Sequence, residues 1–145
     1  MFRILQRMNW NTVVNSRATF NDFFAEEYGR RPISLAKWAW LLLSKSTLKE
    51  MKSVEFVGVQ NTGARLELLD ASPEDAYPPG QRNRGKEDIR SLSRFLNLIE
   101  QGEKLPRVII GDVDGNLIML DGNHRAIAGS IKDVAVPIRI VQIPK

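Results

Sequence analysis

The chain has 145 residues, 43% hydrophobic and 26% charged, with a net charge of +4 and no cysteine. That composition fits a single globular domain with its own core and argues against global disorder. The charge permits phosphate contacts without demanding them, and the missing thiols exclude disulfides, thiolate metal sites and a cysteine nucleophile. A cytoplasmic setting is expected. The N-terminus lacks a secretory pattern, and the most apolar stretch, residues 33–43, is far shorter than the ~20 residues that span a bilayer. Neither export nor membrane insertion is expected.

Residues 1–46 read as helical. Phe20, Phe23, Phe24 and Tyr28 recur near the helical period, and Gly29 supplies a stop. After Pro32 a second helix carries Leu35, Trp38, Ala39 and Leu42 on one face, while Trp40, Leu41 and Leu43 spread the apolar surface around it. Such a helix is either buried on most sides or offers an aromatic surface to a second copy or another protein. Thr47 with Glu50 suggests one further capped turn. Residues 54–59 (VEFVGV), the turn QNTG and ARLELLD then read as a β-hairpin.

Residues 71–84 (ASPEDAYPPGQRNR) form a long loop, since Pro73, Pro78, Pro79 and Gly80 forbid regular structure. A loop of that length is a tether or a functional lid. It carries Glu74 and Asp75 at one end and Arg82 and Arg84, followed by Lys86, at the other. Residues 87–102 read as an amphipathic helix with Ile89, Leu92, Leu96 and Ile99 on one face, closed by Gly102. Arg90 and Arg94 project together from it, towards the same ligand space as Arg82 and Arg84. A strand follows Pro106, Asp114-Gly115 signals a hairpin, and Pro137 leads into a final strand. Ile109, Ile110, Leu117, Met119, Ile127, Ile138 and Ile140 are expected in one core.

Between these strands lies LIMLDGNHRAIAG, residues 117–129. A strand ending near Leu120 and a helix starting near Asn123 would crowd Asp121, Gly122, Asn123, His124 and Arg125 at a helix N-terminus. There free N–H groups and a partial positive charge favour a phosphate or carboxylate. Gly122 either makes the turn or lets a ligand approach. Asp121 is an N-cap or a ligand of nucleotide-borne Mg²⁺. His124, the lone histidine, is a structural residue, a general acid/base or a phosphate contact. Arg125 grips a phosphate with paired N–H donors, or else pairs with Asp121 or Glu74. The GxxxxGK[ST] and GxGxxG nucleotide motifs are absent.

The run VIIGDVDGNLIMLDGNHRAIAG followed by VPIRIVQI resembles the core of the ParB/sulfiredoxin-like superfamily: a strand, D-G-x-H-R, a short helix and a closing strand with proline. The resemblance implies an α+β fold with a mixed sheet and short helices over residues 51–145, preceded by a helical extension over residues 1–50. Sulfiredoxins place their essential cysteine where this chain has Asn123, so sulfinic-acid reduction is excluded. ParB proteins bind CTP here and read DNA with a further domain. The ADP-dependent free-serine kinases hold nucleotide with D-G-x-x-R and use an upstream glutamate as base, a part that falls to Glu74.

The expectation is therefore a protein binding the phosphate of ATP, ADP or CTP, with Mg²⁺, through Gly122, Asn123, His124, Arg125, Arg82 and Arg84. Glu74, Asp121 and His124 are the catalytic candidates, and Asp121 is the metal candidate. If catalytic, it would be a nucleotide-dependent phosphotransferase or phosphohydrolase. The alternatives are a DNA-binding protein or ParB-like nuclease, working through the basic loop and the arginines of the following helix. A silent interaction module docking through its aromatic helices is a third.

Overall fold

The computed structural model describes residues 10–28, 31–44, 46–60 and 86–144. Helix α1 (Trp10–Tyr28) and helix α2 (Leu35–Ser44) lead the chain. Phe20 stacks on Phe24 and on Trp38, with ring centroids 4.6 and 5.0 Å apart. The Trp38 indole N–H donates to the Ser16 hydroxyl at 2.8 Å, and that hydroxyl donates to the Val13 carbonyl at 3.0 Å. The buried indole is thereby satisfied. Between the helices the Ile33 N–H donates to Asn21 Oδ1 at 2.8 Å, and Asn21 Nδ2 donates back to the Ile33 carbonyl at 3.3 Å. Trp40 stays 54% exposed.

The segment expected to make a further helical turn is instead strand β1 (Ser46–Met51). A one-turn capping signal loses here to backbone pairing, because six residues find partners on strand β5 (Val136–Gln142), from Ser46↔Val141 to Met51↔Val136. The boundary expected at residue 50 falls inside this strand. The segment 54–59, expected as a strand, is split into helix α3 (Ser53–Phe56) and the two-residue strand β2 (Val59–Gln60). Glu55 explains the start, since its carboxylate accepts the Lys52 N–H at 3.4 Å. Phe56 and Val59 are buried, whereas Val54 and Val57 are 76% and 85% exposed, which breaks strand alternation. The rest of the expected hairpin and the loop 71–84 lie outside the described residues.

Helix α4 (Lys86–Glu100) appears where periodicity puts it. Strands β3 (Val108–Val113) and β4 (Asn116–Asp121) form the expected hairpin. Asp114 and Gly115 take φ of 52° and 84°, and the Gly115 N–H donates to Asp112 Oδ1 at 2.7 Å. Positive φ at both central residues is what a two-residue hairpin turn needs, and Asp-Gly tolerates it. Helix α5 (Asn123–Ile131) and β5 complete the chain. The described strands make one mixed sheet, ordered β1-β5-β3-β4-β2, antiparallel at β1/β5 and β3/β4 and parallel at β5/β3 and β4/β2. The fold is α+β, with short helices and a helical N-terminal segment.

Both faces of the sheet are covered. Leu92 and Phe95 of α4 and Ala126, Ile127 and Ala128 of α5 pack with Val108, Ile110, Met119, Val136 and Ile138. On the other face Phe20, Phe24, Trp38 and Leu42 of the leading helices pack with Ile109, Val113, Ile118, Leu120 and Val141. The expectation of one core therefore needs correction. Alternation turns Ile109 to the α1–α2 face, away from Ile110, while Leu117 and Ile140 are only partly buried. No helix among the described residues is long and apolar enough to cross a membrane.

Candidate functional site

Strand β4 runs into α5 through a single residue, Gly122. Just before it, the β3/β4 register slips: Ile110 pairs with Met119, but Ile109 pairs with Asp121, leaving Leu120 extra. A bulge of this kind bends a strand and re-aims its side chains. Gly122 is the N-cap of α5 at φ 112°, with no side-chain cap bond. Asp121 is thus the last residue of β4 and not the cap. A Cβ on Gly122 would stand 2.9 Å from Val108 Cγ2 and 3.1 Å from Arg125 Nη2, so backbone angle and space both require glycine.

That space is taken by Arg125, which folds back under the turn. It is 5% exposed. Its Nη1 donates to the Arg107 carbonyl at 2.7 Å, and Nη2 lies 3.4 Å from Asp121 Oδ2. The i,i+4 spacing in the sequence already allows this ion pair. Burial holds the Arg125 guanidinium below its ordinary range, Asp121 works against that, and nearby Arg94 adds to it. Asp121 is pushed above the ordinary carboxylate value by burial, opposed by its ion pair and hydrogen bond with Arg125 and by the Gly122 N–H. Desolvation thus outweighs attraction for both partners. Arg125 and Arg94 also approach the same Phe95 ring, at 5.9 and 4.8 Å from its centroid.

The chain matches no protein-family model, no curated protein and no solved structure.

What the turn offers a ligand lies above Arg125. The first intrahelical bond runs from the Ala126 N–H to the Gly122 carbonyl at 3.0 Å, so the first turn of α5 directs its N–H groups out of the helix. Asn123 Oδ1 is buried and accepts no hydrogen bond. His124 is half-buried beside it. Asp121, Gly122, Asn123, His124 and Arg125 therefore do converge, with Arg94 as the cation that α4 contributes. Arg90 is exposed on the same helix. Glu74, Arg82 and Arg84 lie outside the described residues.

Among the described residues no group of three or more His, Asp or Glu side chains could hold a metal. Among the described residues at this turn Asp121 supplies the carboxylate, and it is paired with Arg125. A cleft of about 410 Å³ opens at the other end of the molecule, lined by Phe24, Arg31, Pro32, Ile33, Lys37 and Pro144, and includes none of the signature residues.

Two arginines escaped the sequence reading. Arg107 lends its carbonyl to Arg125, and Arg139 is buried on the opposite face. VPIRIV places a charged residue at an alternating position within an apolar strand, which singles out Arg139 only if both faces of that strand are covered. Nothing marks Arg107.

Proposed function

We infer that this chain is a ParB/sulfiredoxin-like protein that binds the phosphate of a nucleotide (ATP, ADP or CTP) at the N-terminus of α5. One observation carries the reading: Asn123 Oδ1, buried and without a hydrogen-bond partner, sits in the first turn of α5, where the helix N-terminus favours an anion. A phosphate accepts hydrogen bonds, and a nucleotide hydroxyl or amino group donates one, so a single nucleotide answers both needs. The succession of strand, D-G-N-H-R turn, short helix and Val-Pro strand agrees with the resemblance.

Arg125 then acts differently from a phosphate clamp. Held by Asp121 and the Arg107 carbonyl, it shapes the turn and lends positive field from beneath. Exposed Arg94 is the arginine left to reach a bound phosphate. Transfer or hydrolysis would also need a base and a placed acceptor. His124 stands at the turn, while Glu74, Arg82 and Arg84 would have to come from the preceding segment. Mg²⁺ would meet Asp121 at the edge of the turn.

The test is thermal denaturation of the full chain with ATP, ADP, CTP and GTP, with and without Mg²⁺. A nucleotide at 100 times its Kd should stabilise by about 2.7 kcal/mol, and Asn123→Ala should raise that Kd. No shift with any nucleotide, beside duplex binding that collapses between low and physiological salt, would overturn the reading for a DNA-directed or nuclease role. Silence in both assays would leave the aromatic helices, with Trp10 and Trp40 exposed, as the basis of an interaction module.

A further inference from the structure

On the sheet face opposite α5, Arg139 is 9% exposed and faces Leu48 across the β1/β5 ladder. Its Nη1 donates to the Leu42 carbonyl at 3.3 Å and to the Ser46 hydroxyl at 2.7 Å. Leu42 lies in the last turn of α2, so a cation there complements the helix C-terminus. That role accounts for Nη1. It does not explain the second cation beside it. Arg107 stands at the level of Pro137, one residue before the Val108↔Ile138 pair, and alternation turns it to the same face. Its Nη1 donates to the Ile138 carbonyl at 3.1 Å and reaches the Lys49 carbonyl at 3.5 Å.

Both arginines thus anchor through Nη1 on neutral acceptors, and among the described residues neither has a carboxylate within ion-pair distance. Glu50 stands on this face opposite Pro137, and Lys49 pairs with Glu55 instead. Buried cations are ordinarily paired, and like charges on neighbouring strands repel. Burial and the adjacent Arg107 together hold the Arg139 guanidinium below its ordinary range. Among the described residues neither guanidinium uses its Nε–Nη2 edge, the fork that grips an oxyanion with two parallel bonds. Leu48, paired with Arg139 on the edge strand, is 51% exposed, so solvent reaches this part of the face.

We propose that Arg107 and Arg139 form a second anion site, taking a phosphoryl group between their Nε–Nη2 edges on the α1–α2 face of the sheet. None of the residues of the α5 turn contributes a side chain to it. Two cations suit a dianion, and two forks suit the several oxygens of a tetrahedral group. The phosphate is either free or carried by an ester.

The test is ¹⁵N-resolved NMR of the arginine Nε–H groups in the full chain, titrated with inorganic phosphate at constant ionic strength, with chloride and acetate as comparison arms and a phosphate monoester as a further arm. The Nε–H signals of Arg107 and Arg139 should shift saturably with phosphate and not with chloride or acetate. A tighter response to the monoester would assign the site to esters, and an equal one to the free ion. Arg139→Lys keeps the charge but loses the fork, and should weaken binding about tenfold, as should Arg107→Gln. Arg107 is only half-buried, so its variant answers even if Arg139 variants fail to fold. Shifts that are absent, equal with chloride, or confined to the Asn123 and His124 amides would overturn the site. The last pattern would leave binding at the α5 turn intact.

Discussion

Arg125 beneath α5 and Arg139 beneath α2 are buried to similar depth on opposite faces of one sheet, yet among the described residues only Arg125 has a carboxylate partner. With Asp121 at 3.4 Å and a backbone carbonyl at 2.7 Å, Arg125 is tied into the turn it supports. Among the described residues Arg139 bonds a carbonyl and a hydroxyl. The difference separates an arginine that builds a site from one whose charge is still available to a ligand. The sequence allows the i,i+4 pair of Arg125 with Asp121, while the carbonyl and hydroxyl partners of both arginines are brought in by the fold.

The widest contrast should appear on removing each arginine. Arg125→Ala strands a largely buried carboxylate and should lower the stability of the unliganded protein by about 3 kcal/mol in urea denaturation. Arg139→Gln loses two hydrogen bonds to neutral groups and should cost about 1 to 2 kcal/mol, with a larger loss when phosphate is present. Equal costs would erase the comparison. Gly122→Ala comes next, at about 2 kcal/mol: it combines a left-handed backbone angle with a Cβ against Val108 and the Arg125 guanidinium. It should also weaken nucleotide binding, because relief of that clash moves the first turn of α5. A variant that unfolds at the wild-type urea concentration would mean that Gly122 serves ligand approach alone.

Much of this turn is readable from residue order. Asp114-Gly115 sets a hairpin, an apolar run ends at Asp121, and Gly122 can only be a turn, so a strand leading into α5 follows from local chemistry. The amphipathic period of α4 is equally local. What sequence could not give was decided at a distance. Residues 46–51 look like a capped turn until β5 is beside them. VEFVGV has strand-like composition, yet Phe56 and Val59 face inward while Val54 and Val57 do not, and short apolar runs leave that choice open. The inward fold of Arg125 is compatible with its spacing from Asp121, but the Arg107 carbonyl that completes it lies 18 residues away. Arg139 reads as an anomaly in an apolar strand only once both faces of the sheet are known to be covered.

The smallest effect tests the Asp121–Arg125 pair from the carboxylate side. Burial raises the Asp121 pKa above its ordinary 3.8, and Arg125 offsets only part of the rise. The native carboxyl then holds its proton more tightly than the unfolded chain does. Its contribution to stability is full below the unfolded value and is lost as pH rises through the native value. Arg125 remains charged throughout that window, and the other carboxylates cancel when wild type is compared with Asp121→Asn, which cannot titrate. The stability of wild type relative to the Asn variant should therefore fall as pH rises from about 3 through the native pKa, then level off. A difference that grows with pH would mean that attraction to Arg125 outweighs desolvation, and the pair would then be a net stabilising bridge. Nucleotide sharpens the measurement. A phosphate bound over Asn123 and His124 adds negative charge near Asp121, so it should move the midpoint of the fall to higher pH; a midpoint unmoved at saturating nucleotide would place the phosphate elsewhere.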